Sequence, residues 1–232
     1  MGNLIVGIHQ PNFFPWLGFF KKIVKSDVFV FLDNVQYSHG SWTNRVNILN
    51  QKKASWITCP VTHQGHYQTI QEIKINNTQP WRQRIENLII LNYSKSDFYS
   101  ENYQFISDMI ERREPMISGF NIKNIKAICK ILDIETKFIL QSEISTSKNA
   151  TELIIEIVQI VGGTGYICGS GSRNYQDDQK FSENSIALFH QNFVHPHYKQ
   201  KSTGEFIGGL SIIDVLLNCG IDGTKELLDR TD

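Results

Sequence analysis

The chain predicts an α/β fold: a mostly parallel sheet flanked by helices, with a β-hairpin and a helical insertion in the middle. Three observations carry this. Short apolar runs rich in β-branched and aromatic residues (Leu4 to Ile8, Asp27 to Asp33, Tyr166 to Cys168, Ile186 to His190) have the length and continuity of strands buried on both faces. Segments with bulky groups at helical spacing alternate with them at both ends of the chain, as parallel strands with crossover helices require. Between the ends the period changes, first to strict alternation and then to a long helical stretch.

The elements follow in order. Leu4 to Ile8 is a strand that Pro11 cannot extend, because proline has no backbone donor. Trp16 to Val24 is an apolar helix and Asp27 to Asp33 a second strand. Asn34 to Asn50 is a polar loop leading into a strand at Val46 to Leu49. Lys53 to Val61 and His66 to Ile75 alternate apolar with polar residues and predict an antiparallel pair joined around Gln64-Gly65. Thr78 caps a helix with Pro80 in its first turn that runs to about Tyr93. Helical patterns recur over Asp97 to Arg113 and over Met116 to Leu132, where Gly119 would interrupt. Lys137 to Gln141 is a strand, and Asn149 to Val161 a helix ending at Gly162-Gly163. Ser211 to Gly220 is one short helix stopped by its glycine. We expect residues 1–232 to form one domain, with residues 77–135 a helical lid or subdomain within it.

Composition narrows the function classes. Lysine plus arginine and aspartate plus glutamate number 23 each, so the net charge is zero and no broad basic field exists to recruit nucleic acid. The longest apolar stretches are too short and interrupted to span a bilayer, and the N-terminal run lacks the features of a secretory signal. A cytoplasmic location is expected. Cys59, Cys129, Cys168 and Cys219 form no Cys-x-x-Cys pair, so neither a zinc ribbon nor a disulfide framework is expected. Cys168 and Cys219 are candidate nucleophiles against the commoner role of a packing thiol, and neither has a neighbouring sequence cue for thiolate activation.

Polar side chains at strand ends are where open α/β sheets place ligands. His9, with Gln10 beside it, ends the first strand and is the candidate base; Asp33 ends the second and would hold an amine or a hydroxyl. Gln36, Asn44 and Arg45 lie in the polar loop that follows, Asn44 as an oxyanion donor and Arg45 as a planar fork for phosphate. Gly169, Ser170, Gly171, Ser172 and Arg173 follow a strand as a phosphate-cradling loop would, with Tyr175 just beyond, although no Gly-x-Gly-x-x-Gly or Walker pattern is present. His195 is a further substrate-binding candidate, and no metal site is expected from the His-x-His spacing of His195 and His197. Ser211 and Asp214 read as a helix cap.

Taken together, Ile8 to Phe20, Asp27 to Tyr37 and Trp42-Thr43-Asn44-Arg45 resemble the WbqC-like family. So do Gly169 to Tyr175, His195-Pro196 and Gly204-Glu205-Phe206-Ile207 through Cys219-Gly220. The resemblance covers essentially the whole chain. It implies a place among the proteins of O-antigen and capsule gene clusters, which build unusual amino sugars on nucleotide carriers. The expected activity is transfer of an acyl group to the nitrogen of a nucleotide-linked amino sugar. No cofactor would be tightly bound, acyl-CoA would be a co-substrate, and the partners would be the nucleotide-linked sugar, the acyl donor and a second copy in a homodimer. Two alternatives stand beside it. The strand, histidine turn, helix, strand order is similar to that of nucleotidyl or adenylyl transferases, though no Gly-His follows His9. A non-catalytic accessory protein would bind a nucleotide sugar without turnover.

Overall fold

The computed structural model describes residues 4–62, 65, 67–169, 177–201 and 204–230. Its strands are β1 (Ile5–His9), β2 (Val28–Phe31), β3 (Arg45–Asn50), β4 (Lys53–Thr58), β5 (Val61–Thr62), β6 (Lys74–Ile75), β7 (Lys137–Leu140), β8 (Gly165–Cys168) and β9 (Ala187–His190). Its helices are α1 (Leu17–Val24), α2 (Trp81–Tyr93), α3 (Tyr99–Ile110), α4 (Ile117–Ile131), α5 (Ala150–Ile160), α6 (Asp178–Glu183) and α7 (Ile212–Arg230).

Five strands form one sheet in the order β7-β2-β1-β8-β9, and every pairing in it is parallel. The α/β class predicted from the apolar runs is the one observed. Both faces of the central strands β2, β1 and β8 are covered, which is why these lack polar alternation. Val6, Ile8, Val28, Val30, Tyr166 and Cys168 turn to one face, against Leu153 and Ile157 of α5 and Phe181 of α6. Phe29 and Phe31 turn to the other, where Phe19, Phe20 and Ile23 of α1 meet Ile213 and Leu216 of α7 and the helices α2 to α4.

The middle of the chain is built differently in detail from the sequence expectation. The hairpin is β3 with β4, turned by Gln51 and Lys52, both at positive φ. The expected partner of the Lys53 to Val61 run contributes only a two-residue ladder, Val61 to Ile75 and Thr62 to Lys74, after a 3-10 turn over 70–72. Its alternating apolar residues, Ile70 and Ile73, are buried through that turn instead. Gly119 does not interrupt α4. Gly220, at φ 71°, breaks α7, but the helix resumes to Arg230 because Leu227 and Leu228 return to the core. The short helix α6 carries too brief a pattern to be read from sequence.

The topology has one consequence for function. From β1 the chain moves outward on one side through β2 to β7, then crosses to the other side of β1 for β8 and β9. The strand order therefore reverses between β1 and β8. In open α/β sheets the crevice beyond the carboxyl ends of the two strands at such a reversal is where ligands bind.

Candidate active site at the switch point of the sheet

His9 ends β1 and Cys168 ends β8, so the two flank that crevice. The strands separate there. β1 stays in register with β2 as far as His9 opposite Phe31, but with β8 only as far as Gly7 opposite Ile167. Lys22 of α1 occupies the gap. Its Nζ donates to the Ile8 carbonyl at 2.7 Å and lies 5.5 Å from the centre of the Tyr166 ring. The side chain is buried, and among the described residues no carboxylate pairs with it. Burial pushes its ammonium down from 10.5 to about 8, an effect the nearby Cys168 thiol partly opposes. An ammonium taken out of water without a counter-charge is costly, and a bound anion is the partner that offsets the cost.

His9 is half-buried and packs edge-on against Phe19 of the same helix, with ring centres 4.9 Å apart. Its Nδ1 sits 3.0 Å from the Gln10 carbonyl. A carbonyl only accepts, so Nδ1 carries the proton and Nε2 keeps its lone pair. Among the described residues nothing bonds to Nε2. Burial first, and the Lys22 charge second, push the imidazole down to about 4, so it is neutral near pH 7. Gln10 is half-buried beside it, and Gly169 follows the end of β8. Ser170, Gly171, Ser172, Arg173 and Tyr175 lie outside the described residues. Gln191 closes the back of the crevice: its backbone N–H donates to the Cys168 carbonyl and its Nε2 to the Gly18 carbonyl, each at 2.9 Å, tying β8 to the start of α1.

The remaining candidates are held by other contacts. Asp33 is buried, and both its oxygens are taken by Ser142, from the backbone N–H at 2.9 Å and the hydroxyl at 2.6 Å, which fixes the turn after β7. Gln36 is exposed and bridges to Thr69. Asn44 Nδ2 donates to the Cys59 carbonyl at 3.1 Å, and Arg45 lies 4.3 Å over the Trp56 ring, which meets Trp42. These two thus group with the β3–β4 hairpin rather than with His9. His195 packs at a tilt on Trp16, the residue before α1, and edge-on against Phe193; its Nδ1 accepts from the Gly209 N–H at 3.3 Å, and burial lowers its pKa. It braces the same helix that carries Phe19 and Lys22.

Ser211 caps α7 as expected, accepting from the Ile213 N–H at 3.2 Å. Asp214 does not answer the helix start. It is fully buried and accepts from Tyr198 at 2.5 Å and Gln200 at 3.0 Å, which fastens the 198–200 segment to α7. A cleft of about 470 Å³ opens at the opposite edge of the sheet, where the strands begin, lined by Asp27, Asp133, Glu135, Lys225 and Asp229. It has neither a buried cation nor a histidine. Among the described residues no cluster of His, Cys, Asp and Glu could hold a metal ion.

A family model matches residues 10–226, a span that begins just after β1 and takes in Gln10, α1, β8 and most of α7. The chain belongs to the WbqC-like protein family. A Mycobacterium tuberculosis (strain ATCC 25618 / H37Rv) relative in this family, Uncharacterized protein Rv1507c, is 30% identical over 225 residues that cover 96% of each chain. No solved structure matches the chain. Among the described residues no helix is long and apolar enough to cross a membrane.

Sequence reasoning missed Lys22 and Gln191. In sequence Lys22 is one of two adjacent lysines in the apolar helix, and only the parting of β1 from β8 shows where its ammonium goes. The one available signal was that lysine interrupts an otherwise apolar helix.

Proposed function

We propose that this protein is a cytoplasmic group transferase of bacterial surface-polysaccharide (O-antigen) biosynthesis that N-acylates a nucleotide-linked amino sugar. The observation that supports it best is the pairing, in the switch-point crevice, of a neutral imidazole whose Nε2 is open and a buried ammonium without a carboxylate among the described residues.

Lys22 suits an anionic group, either a phosphate oxygen of the nucleotide or the oxyanion that forms when the amine adds to the acyl carbonyl. His9 Nε2 would accept the proton that the nitrogen loses on forming the amide. The two roles are coupled. The Lys22 charge is one of the causes that hold His9 at about 4. An anion seated on Lys22 offsets that charge and raises the basicity of His9, so the base strengthens when substrate is present. Asn44, expected as an oxyanion donor, gives its N–H to Cys59, and Lys22 takes that role here.

The test is release of free CoA from acetyl-CoA in the presence of UDP- or dTDP-linked amino sugars, with the amide product identified by mass. His9→Gln is expected to lower the rate by roughly 10²- to 10⁴-fold, the usual worth of a positioned proton acceptor. Unchanged turnover in that variant removes His9 from the chemistry. Pyrophosphate release from ATP would point instead to nucleotidyl or adenylyl transfer, and saturable nucleotide-sugar binding without turnover to an accessory protein.

A further inference from the structure

We propose that Cys168, His190 and Asp178 act together as nucleophile, base and orienting carboxylate, so that the acyl group passes through the protein as a thioester on Cys168. This step rests on the acyl-transfer reading above and specifies its route.

The register of the sheet brings the set together. β8 and β9 are parallel, with Cys168 directly opposite His190 as the last residue pair. Partners in register share a face, and here Sγ lies 3.1 Å from His190 Nδ1. The other ring nitrogen, Nε2, is 3.5 Å from Oδ2 of Asp178, the first residue of α6. A carboxylate near Nε2 favours the proton there and the Nδ1 lone pair toward the thiol, the arrangement that activates a cysteine, in competition with the Phe189 carbonyl 3.5 Å from Sγ. The sulfur is buried, while His190 is half-exposed and Asp178 exposed.

The other cysteines contrast with this one. Among the described residues no histidine faces any of them, and burial pushes the Cys129 and Cys219 thiols up to about 12 and raises that of Cys59. They fit inert packing groups.

The chemistry balances without an added reagent. The Sγ proton moves to His190 Nδ1 and the thiolate adds to the carbonyl of an acyl thioester. The bond to the donor sulfur breaks, and the departing thiolate takes the proton from His190. The acyl group is now on Cys168. The amine of the acceptor sugar adds to that carbonyl, the carbon–sulfur bond to Cys168 breaks, His9 Nε2 takes the proton lost by nitrogen, and one proton returns through solvent to the departing Cys168 thiolate. No oxidation state changes.

The experiment uses the full chain and two donors, acetyl-CoA and p-nitrophenyl acetate, without any sugar. The acylated protein is digested and the acetyl group located by mass spectrometry. We expect a burst of one donor leaving group per chain and acetyl on Cys168. Acylation should be lost in Cys168→Ala, slowed at least 100-fold in His190→Gln, and slowed less in Asp178→Asn. Acetyl absent from Cys168 with both donors overturns the proposal. Because Cys168 packs in the core, a second measurement needs no substitution there. On brief exposure of the native protein to iodoacetamide, Cys168 should be alkylated ahead of Cys59, Cys129 and Cys219, and failure to label it first counts against the proposal. The two readings separate cleanly. A Cys168 thioester that discharges to no amino sugar keeps this inference and removes the acceptor assignment. Amide formation by Cys168→Ala at the parent rate keeps the acceptor and removes the thioester.

Discussion

Replacing Lys22 by methionine should make the protein more stable and less active. Methionine keeps the unbranched length of the side chain and removes the charge. Holding a buried ammonium at about 8, against 10.5 for a free lysine, costs the folded state roughly 3 kcal/mol near pH 7. The substitution also removes the donor to the Ile8 carbonyl, worth about 1 kcal/mol. The net gain is about 2 kcal/mol, which for a chain of this length raises Tm by about 4–8 °C. The sign has a pH signature. The folded-state pKa lies below the unfolded one, so the penalty is complete below about 8 and disappears as pH rises through 10.5. The Tm difference between variant and parent should therefore shrink steadily over that range. Thermal melts of both proteins at matched ionic strength measure it. A variant that melts below the parent near pH 7, or a difference that ignores pH, would refute the view of Lys22 as an uncompensated buried charge.

Three further outcomes follow from the same contacts. His9 should stay neutral by NMR titration down to about 4 in the parent and titrate closer to 6.5 in Lys22→Met, because one of the two causes holding it down has been removed. Since its folded pKa lies below its unfolded one, His9 destabilises the fold as pH falls from 6.5 through 4, and urea unfolding of His9→Gln should lose less stability over that window. Asp33→Ala strands the Ser142 N–H and hydroxyl and should cost about 2 kcal/mol in chemical denaturation, with Asp33→Asn costing less because an amide oxygen still accepts. Tyr198→Phe leaves the buried Asp214 with Gln200 as its remaining side-chain donor in that segment and should lower stability by about 1–3 kcal/mol, read by the same method.

Much of the frame was legible in the chain. The apolar runs at Leu4, Asp27, Tyr166 and Ile186 are strands within a residue or two, the first three because burial on both faces leaves a continuous apolar run, the last as the exposed edge β9. His9 was legible as a strand-end residue for the same reason, since Pro11 fixes where the ladder must stop. What sequence does not carry is which strand ends become neighbours. The meeting of Cys168 with His190 depends on β8 and β9 lying in register, and the place of Lys22 on β1 and β8 parting after Gly7. Asp33 shows the same limit from the other side. Its position after β2 was right for a ligand-binding carboxylate, but β7 delivers Ser142 to it. In the middle of the chain, alternation was read over Lys53 to Ile75 at the right period, yet the turn chemistry at Gln51 and Lys52 moved the hairpin one strand earlier.

The central claim is that substrate binds where the strand order reverses, between β1 and β8. A crystal of the full chain soaked with a UDP- or dTDP-linked amino sugar tests it directly. We predict density beyond the ends of those strands, with an anionic oxygen within hydrogen-bond distance of Lys22 Nζ and the sugar nitrogen facing His9 Nε2. Density in the cleft lined by Asp27, Glu135 and Lys225 at the other edge of the sheet, with the crevice empty, would contradict it.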